Sequence, residues 1–205
     1  FNVFNLELHK GLASSYEHGL DIDEFDPYCD HLIVRELRSG DIVGTYRLLR
    51  GAQSRRHIGF YSEKEFDLTR IKTLDGELME LGRSCARKDF RDRALIPLMW
   101  EAIIEQIRKH HVRYLFGCGS LYTTGVAEVS AMFSLFKNKY YAPEIYRVQP
   151  VKKCQFAGMP DNVAVAGEQV ATLRVVSERW GDLPIAVDQF GRSQEFSLRY
   201  AVVFV

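Results

Sequence analysis

The 205-residue sequence has no surplus charge: Lys and Arg together number 27, and so do Asp and Glu. Nucleic-acid binding is therefore not favoured, because it usually needs a basic excess, although local basic clusters remain available to an acidic partner. No apolar run approaches the ~20 residues that span a bilayer. No secretory leader is visible. The chain opens on Phe1 rather than Met, so it is expected to begin inside a longer protein. Cysteines are few (Cys29, Cys85, Cys118 and Cys154) and none sits in a CxxC pair. That spacing suggests neither a metal site nor a disulfide framework, and makes a reducing cytoplasm the expected compartment. Repeats, low-complexity tracts and linkers are lacking as well. What remains is 46% hydrophobic and 26% charged. That is the make-up of one compact domain over residues 1–205, neither disordered nor fibrous.

Hydrophobic spacing orders the chain. Residues 1–10 read as the end of a helix stopped at Gly11, and residues 11–19 as loop. Residues 31–37 and 41–49 read as strands joined by Arg38-Ser39-Gly40-Asp41, whose turn chemistry predicts a hairpin. Residues 59–74 are mixed, with a short helix expected. Residues 77–87 read as a central strand interrupted at Gly82. Leu95, Leu98, Met99, Ala102, Ile103 and Ile107 share one helical face and predict a helix over 94–109, with Pro97 in its first turn. A buried strand is expected over 113–118, an amphipathic helix over 124–136 and a strand over 148–156. A helix over 168–180 closed by Gly181, then a hairpin of 184–188 with 196–205, complete the α/β reading with a mixed sheet.

Charged residues inside strand-like segments narrow the function. Arg47 lies in Ile42-Val43-Gly44-Thr45-Tyr46-Arg47-Leu48-Leu49, and Glu80 and Arg83 lie in Leu78-Met79-Glu80-Leu81-Gly82-Arg83-Ser84-Cys85. Asp23 and Asp26 precede the first hairpin. Buried charges are costly unless paired, so the set reads either as internal ion pairs bracing the sheet or as a site.

These runs, with Asp23-Glu24-Phe25-Asp26, Cys29-Asp30-His31-Leu32, Gly59-Phe60-Tyr61-Ser62 and Leu115-Phe116-Gly117-Cys118, resemble one branch of the GNAT superfamily. That branch holds the ornithine-lipid N-acyltransferases and long-chain N-acyl amino acid synthases. The resemblance is good over about residues 1–125 and is similar in shape to acyl-homoserine lactone synthases. It implies an α+β fold with a mixed, mostly antiparallel central sheet flanked by helices. It implies transfer of a long-chain (3-hydroxy) acyl group from acyl carrier protein to the amino group of ornithine or another small amino acid. It also implies a bulge on the central strand, placed here between Glu80 and Ser84, which frees an N–H for the oxyanion.

Amide formation needs a neutral amine, and an α-amino group is mostly protonated near pH 7. Glu80 is the candidate base, with Arg83 beside it in the catalytic set. Arg47 is the candidate for the acceptor carboxylate. Asp23 and Asp26 would hold its cationic groups or brace the arginines, and Ser84 joins the acceptor set. The resemblance makes Tyr122 the candidate acid for the leaving thiol. Arg87, Lys88, Arg91 and Arg93 precede a helix N-terminus, where phosphate binds well. They read as a phosphopantetheine and carrier contact, or as a solvated loop. Where CoA-using relatives carry glycines, Arg91-x-x-Ala94-x-Ile96 has Ala94 and Ile96, which favours a carrier-protein donor over acyl-CoA. Phe116, Leu121, Met132, Phe133 and Phe136 read as acyl slot or core, and His31 as packed or surface.

The alternatives are an acyl-homoserine lactone synthase using S-adenosylmethionine and a non-catalytic acyl- or carrier-binding domain. The expected location is cytoplasmic, with peripheral contact at the inner membrane face open to a membrane-active product.

Overall fold

The computed structural model describes residues 1–9, 11–91, 95–120 and 125–155, and beyond them the backbone of short strands. The strands are β1 (Asp30–Arg35), β2 (Ile42–Arg50), β3 (Phe66–Asp67), β4 (Glu77–Ala86), β5 (Val112–Phe116), β6 (Cys118–Ser120), β7 (Gln149–Pro150), β8 (Val163–Ala166), β9 (Gln169–Leu173), β10 (Ser177–Glu178) and β11 (Val203–Phe204). The helices are α1 (Ser15–His18), α2 (Gly51–Arg56), α3 (Thr69–Lys72), α4 (Leu95–His110) and α5 (Val126–Tyr140). The central sheet has the order β1-β2-β4-β5. Its first two pairings are antiparallel and β4–β5 is parallel, as the expected mixed sheet requires.

The hairpin forms because its turn satisfies itself. Glu36 accepts the Ser39 N–H at 2.6 Å, and Gly40 takes a φ of 76° that a side chain would resist. One face of the sheet is covered by α4. Leu95, Met99 and Ile103 are buried against Tyr46, Leu48, Met79 and Leu115. The three residues recur every fourth position, so they form one stripe. Each contributes roughly 1.5–3 kcal/mol by burial. Leu98, placed on the same stripe from the sequence, is half exposed instead. The opposite face of the sheet packs Leu49 and Leu78 against Phe25, Phe60, Phe66 and Ile71.

Two irregularities open this second face. Pairing of β4 with β5 runs from Glu77–Val112 to Glu80–Phe116 and stops, and β6 pairs with β9 instead. The strands therefore part just beyond Glu80. At the parting point they still touch: a Cβ on Gly117 would sit 2.3 Å from the Leu81 carbonyl oxygen. One residue later the space is open, since a Cβ on Gly82 would meet nothing within 4 Å. Opposite β2, Gly82 faces Arg47 and Cys85 faces Thr45. An extra residue on β4 is thus accommodated in a bulge centred on Arg83, which has a φ of 49°.

Several expected elements take other forms. Asn2–Glu7 is a short π-helix. Within the expected loop, Ser15–His18 is helical and capped by Gly19 at φ 65°. The mixed region resolves into a 3₁₀ turn, Tyr61–Lys64, followed by β3 and α3. The strand expected over 148–156 is cut to β7 by Pro150, which has no N–H for a longer ladder, and continues as the 3₁₀ turn Lys152–Cys154. The helix expected over 168–180 is replaced by β9 and β10; β-branched Val170 and Thr172 suit a strand. β11 pairs in parallel with β10, and the rest of the expected final hairpin lies outside the described residues. Gly181 and residues 184–188 lie outside the described residues. Among those described, no helix is long and apolar enough to cross a membrane.

The parting of the strands sets a test of two glycines. Gly117→Ala is expected to lose roughly 1–3 kcal/mol of stability, because the new methyl meets backbone that cannot yield. Gly82→Ala is expected to stay within about 0.5 kcal/mol of the parent, as surface changes do. Denaturant midpoints of the two variants measure the difference.

Candidate active site

Segment 21–26 is tied to the open face of the sheet by two arginines. Arg47 comes from the middle of β2 and is 6% exposed. Its Nη1 donates to Asp23 Oδ1 at 2.6 Å and to Asp26 Oδ1 at 2.9 Å. Arg83 comes from the bulge; its Nη2 donates to Asp21 Oδ1 at 3.1 Å and lies 3.9 Å from Asp23 Oδ2. Strict alternation would point Arg83 away from Arg47. The left-handed backbone at 83 turns it onto the same acidic segment. The segment also holds itself: Asp26 Oδ2 accepts the Asp23 N–H at 2.7 Å, and Asp23 Oδ1 accepts the Phe25 N–H at 2.8 Å. Phe25 and Tyr61 flank the Arg47 guanidinium at 5.7 and 5.9 Å.

The charges settle accordingly. Burial pushes Asp23 up, but its bond and attraction to Arg47, the Phe25 N–H and the charge of Arg83 outweigh it and hold the carboxyl low. Burial works against the charge on Arg47 too, and Asp23 and Asp26 reverse it. Three carboxylates face two guanidinium groups, leaving one net negative charge. Such a cluster suits a ligand that brings an ammonium group. Both aspartates from the sequence reading brace Arg47. Asp21, which that reading missed, braces Arg83. The signal was present as a third acid in Asp21-Ile22-Asp23-Glu24-Phe25-Asp26.

Glu80, the expected base, lies on the same face of the sheet and is held by the turn beside it. It is 4% exposed. Its Oε2 accepts the Tyr61 N–H at 2.8 Å, and its Oε1 accepts the Ser62 N–H at 2.7 Å and the Ser62 hydroxyl. Burial raises its proton affinity above the usual carboxylate range, and these three donors with the Arg47 charge offset only part of that rise. With both oxygens engaged, Glu80 anchors the Tyr61–Lys64 turn to β4. Ser62 in turn accepts from the Cys118 thiol at 3.3 Å. It therefore bridges the two strands where they part.

A second carboxyl closes this turn. Glu65 is 6% exposed, and no group donates to its Oε2. Burial, then the neighbouring Glu80 charge, push it up to about 6. Burial and then Glu65 likewise raise Cys118 and Cys154, and push Tyr61 up to about 12. Sequence spacing gave no hint of Glu65, because its burial depends on β7 and on the turn behind it.

Of the donor set, Arg87 donates to Asp41 at 2.9 Å and to both oxygens of Asp89, and Arg91 pairs with Glu7 and the Ala86 carbonyl. With exposed Lys88 these give three positive charges against three negative ones, so the described part of the loop is no basic patch. Ser84 is half-buried in the bulge beside Arg83. His31 is exposed, its Nε2 3.1 Å from the Asp26 carbonyl. Phe116 is core against Phe60, Phe133 is buried, and Met132 and Phe136 are half-buried. Tyr122, Arg93, Ala94 and Leu121 lie outside the described residues. Among those described, no group of three or more His, Cys, Asp or Glu is arranged to hold a metal ion.

The two buried glutamates are expected to respond oppositely to amidation. Glu80→Gln turns an NH₂ donor towards backbone donors and should lose about 1–3 kcal/mol. For Glu65 the folded state keeps a proton that the unfolded chain gives up, so it subtracts stability as pH rises from 4.5 to about 6, and above that the loss is complete. Glu65→Gln should therefore gain on the parent by up to roughly 2 kcal/mol between pH 4 and pH 7. Thermal unfolding across that range checks both.

Known proteins resemble this chain mainly over its first half. A family model described as an acetyltransferase (GNAT) domain matches residues 1–101. The L-ornithine N(alpha)-acyltransferase of Rhodobacter capsulatus is 34% identical over 150 residues, covering 70% of this chain and 58% of that protein. The proteins of the same name from Brucella abortus and Rhizobium meliloti are 38% and 41% identical, over 50% and 49% of this chain and 39% and 36% of their own lengths. The matches thus take in about half of these relatives or less. A solved CoA-dependent acyl-homoserine lactone synthase shares 14% identity at a TM-score of 0.46, over 84% of this chain and 69% of its own. Residues 1–101, which contain the whole arginine–aspartate network together with Glu65 and Glu80, belong to the GNAT acetyltransferase family.

Proposed function

We propose that the chain carries the active site of an N-acyltransferase that moves a long-chain acyl group from a carrier thioester to the α-amino group of ornithine. The observation that carries this reading is the network of Asp21, Asp23, Asp26, Arg47 and Arg83 beside the point where β4 and β5 part. An open gap between strands admits a thin thioester arm, and backbone at a bulge offers N–H groups to a developing oxyanion. The net negative charge of the network favours an acceptor with an ammonium on its side chain as well as at its α-carbon. The names of the relatives at 34–41% identity support ornithine as that acceptor.

Acyl carrier protein is the proposed donor. In the sequence, Ala94 and Ile96 replace the glycines by which similar CoA-using enzymes let a pyrophosphate approach the backbone. Since Arg87 and Arg91 are already paired with acids, a carrier would have to exchange those partners or dock elsewhere. Salt dependence of KM for the carrier therefore reads on which surface is used.

Mass spectrometry of reactions with ornithine, lysine, glutamine and S-adenosylmethionine, each with acyl carrier protein or acyl-CoA as donor, tests the reading. N-acylornithine formed from the carrier donor is expected. A lactone would instead identify a homoserine lactone synthase, and no product with any pair would identify a binding domain. Arg47→Lys keeps the charge but loses the fork that spans Asp23 and Asp26. It is expected to lower kcat/KM about 10–100-fold, the worth of a charge-assisted hydrogen bond.

A further inference from the structure

A transferase of this kind must remove a proton from an ammonium group before the nitrogen can attack. The carboxylates around the gap are unequally free to take it. Asp23 and Asp26 hold Arg47, and Asp21 holds Arg83. Glu80 accepts from Tyr61 N–H, Ser62 N–H and Ser62 Oγ–H. Those bonds occupy about three of the four lone-pair positions of a carboxylate. Tyr61, Cys118 and Cys154 are pushed up and keep their protons near neutral pH. His31 is exposed beside the Asp26 carbonyl. Among the described buried side chains, Glu65 is the carboxyl with an oxygen that nothing donates to.

Its backbone places it on the turn that borders the gap. The Glu65 N–H donates to the Ser62 carbonyl at 3.1 Å, so it ends the same turn whose Ser62 bonds both Glu80 on β4 and Cys118 on β6. From behind, Val151 N–H donates to the Glu65 carbonyl at 2.8 Å, and Cys154 donates to the Lys64 carbonyl at 3.7 Å. The titratable groups that act on or respond to Glu65 are Glu80 from β4, Cys118 from β6, Cys154 from the turn after β7 and Tyr61 from its own turn. Its sequence neighbours Glu63 and Lys64 point elsewhere, to Lys72 and Glu24.

We propose that Glu65 is the proton acceptor of the acyl transfer, and that Glu80 is a positioning residue that fixes the turn carrying it. This deepens the reading given above and rests on it. The ammonium of the acceptor gives one proton to the Glu65 carboxylate, directly or through a water. The freed nitrogen pair forms the C–N bond, and the carbonyl π pair moves to oxygen. As that pair returns, the C–S bond breaks and its electrons leave on sulfur. The second proton from nitrogen ends on that sulfur, and Glu65 passes the first to solvent. The balance is thioester plus ammonium to amide, thiol and one proton. A carboxyl lifted to about 6 is ionised at neutral pH yet basic enough for this exchange.

The test is the pH dependence of kcat/KM for ornithine acylation in the parent, Glu65→Gln, Glu65→Asp and Glu80→Gln. The parent is expected to show an acid limb near pH 6. Glu65→Gln should lose that limb and fall about 10²- to 10⁴-fold. Glu65→Asp should keep a limb, displaced in pH. Glu80→Gln should keep the limb with reduced stability. Unchanged turnover in Glu65→Gln overturns the proposal, as does failure of that variant to fold, which would make Glu65 structural. A limb lost in Glu80→Gln alone returns the base to Glu80. A second readout is independent of turnover: the unfolding temperature of Glu65→Gln relative to the parent must rise between pH 4 and pH 7. Superimposable curves overturn the proposal even if acylation is seen. A parent that acylates nothing, with the thermal difference present, overturns the acyltransferase reading instead and takes the catalytic step with it.

Discussion

The Arg47 guanidinium, held between Asp23 and Asp26 under the ring of Phe25, is the contact on which the site depends. It joins the middle of the second strand to a segment that has little regular structure of its own. A buried ion pair does not add much stability over a well-packed apolar contact, and breaking one partner away is severe. The pairing is thus better understood as fixing where segment 21–26 lies. Phe25 then completes the core on that side of the sheet, with Leu49 and Phe60. Recognition chemistry and core packing are fastened by the same side chain.

The central strand shows how a small backbone departure changes what a sequence can present. Met79 and Leu81 face α4, and Leu78 and Glu80 face the other way, as alternation demands. Had the pattern continued, Arg83 would have met the α4 side. The bulge carries it over to Asp21, and the arginines of two strands converge on one acidic segment. The same strand loses its β5 partner after Glu80. Convergence of charge and separation of strands therefore occur within a few residues of each other, as the proposed meeting of an amine with a thioester requires.

Much of this was legible in the sequence where a single periodicity or turn decides the outcome. The hairpin, the central strand and α4 appear within a residue or two of their expected bounds. Asp23, Asp26, Arg47 and Arg83 are brought together as a network. The stretch over 168–180 was misread because its apolar residues fit helical spacing, whereas the β-branched Val170 and Thr172 lie in a strand that pairs with the distant Cys118–Ser120. The pairing of the basic loop was illegible for a related reason. Arg87 and Arg91 look like a patch in the sequence, and become neutral only when Asp41 and Glu7, far away in the chain, fold onto them.

The two glutamates extend that lesson to chemistry. In the sequence Glu80 stands out, because a carboxylate amid Leu78, Met79 and Leu81 is conspicuous, while Glu65 hides in a polar stretch with Glu63 and Lys64. Three dimensions reverse their standing. The conspicuous carboxylate is hydrogen-bonded at both oxygens, although burial still outweighs Tyr61 and Ser62 and holds its proton affinity up. The inconspicuous one is buried with an oxygen left bare. Proton affinity follows the environment rather than the residue type: donors favour the charged form, and burial without donors favours the neutral one. Two acids placed side by side under unequal solvation divide their protons unequally. On the proposed mechanism, the one that gives up and regains a proton is the one the protein has left without partners.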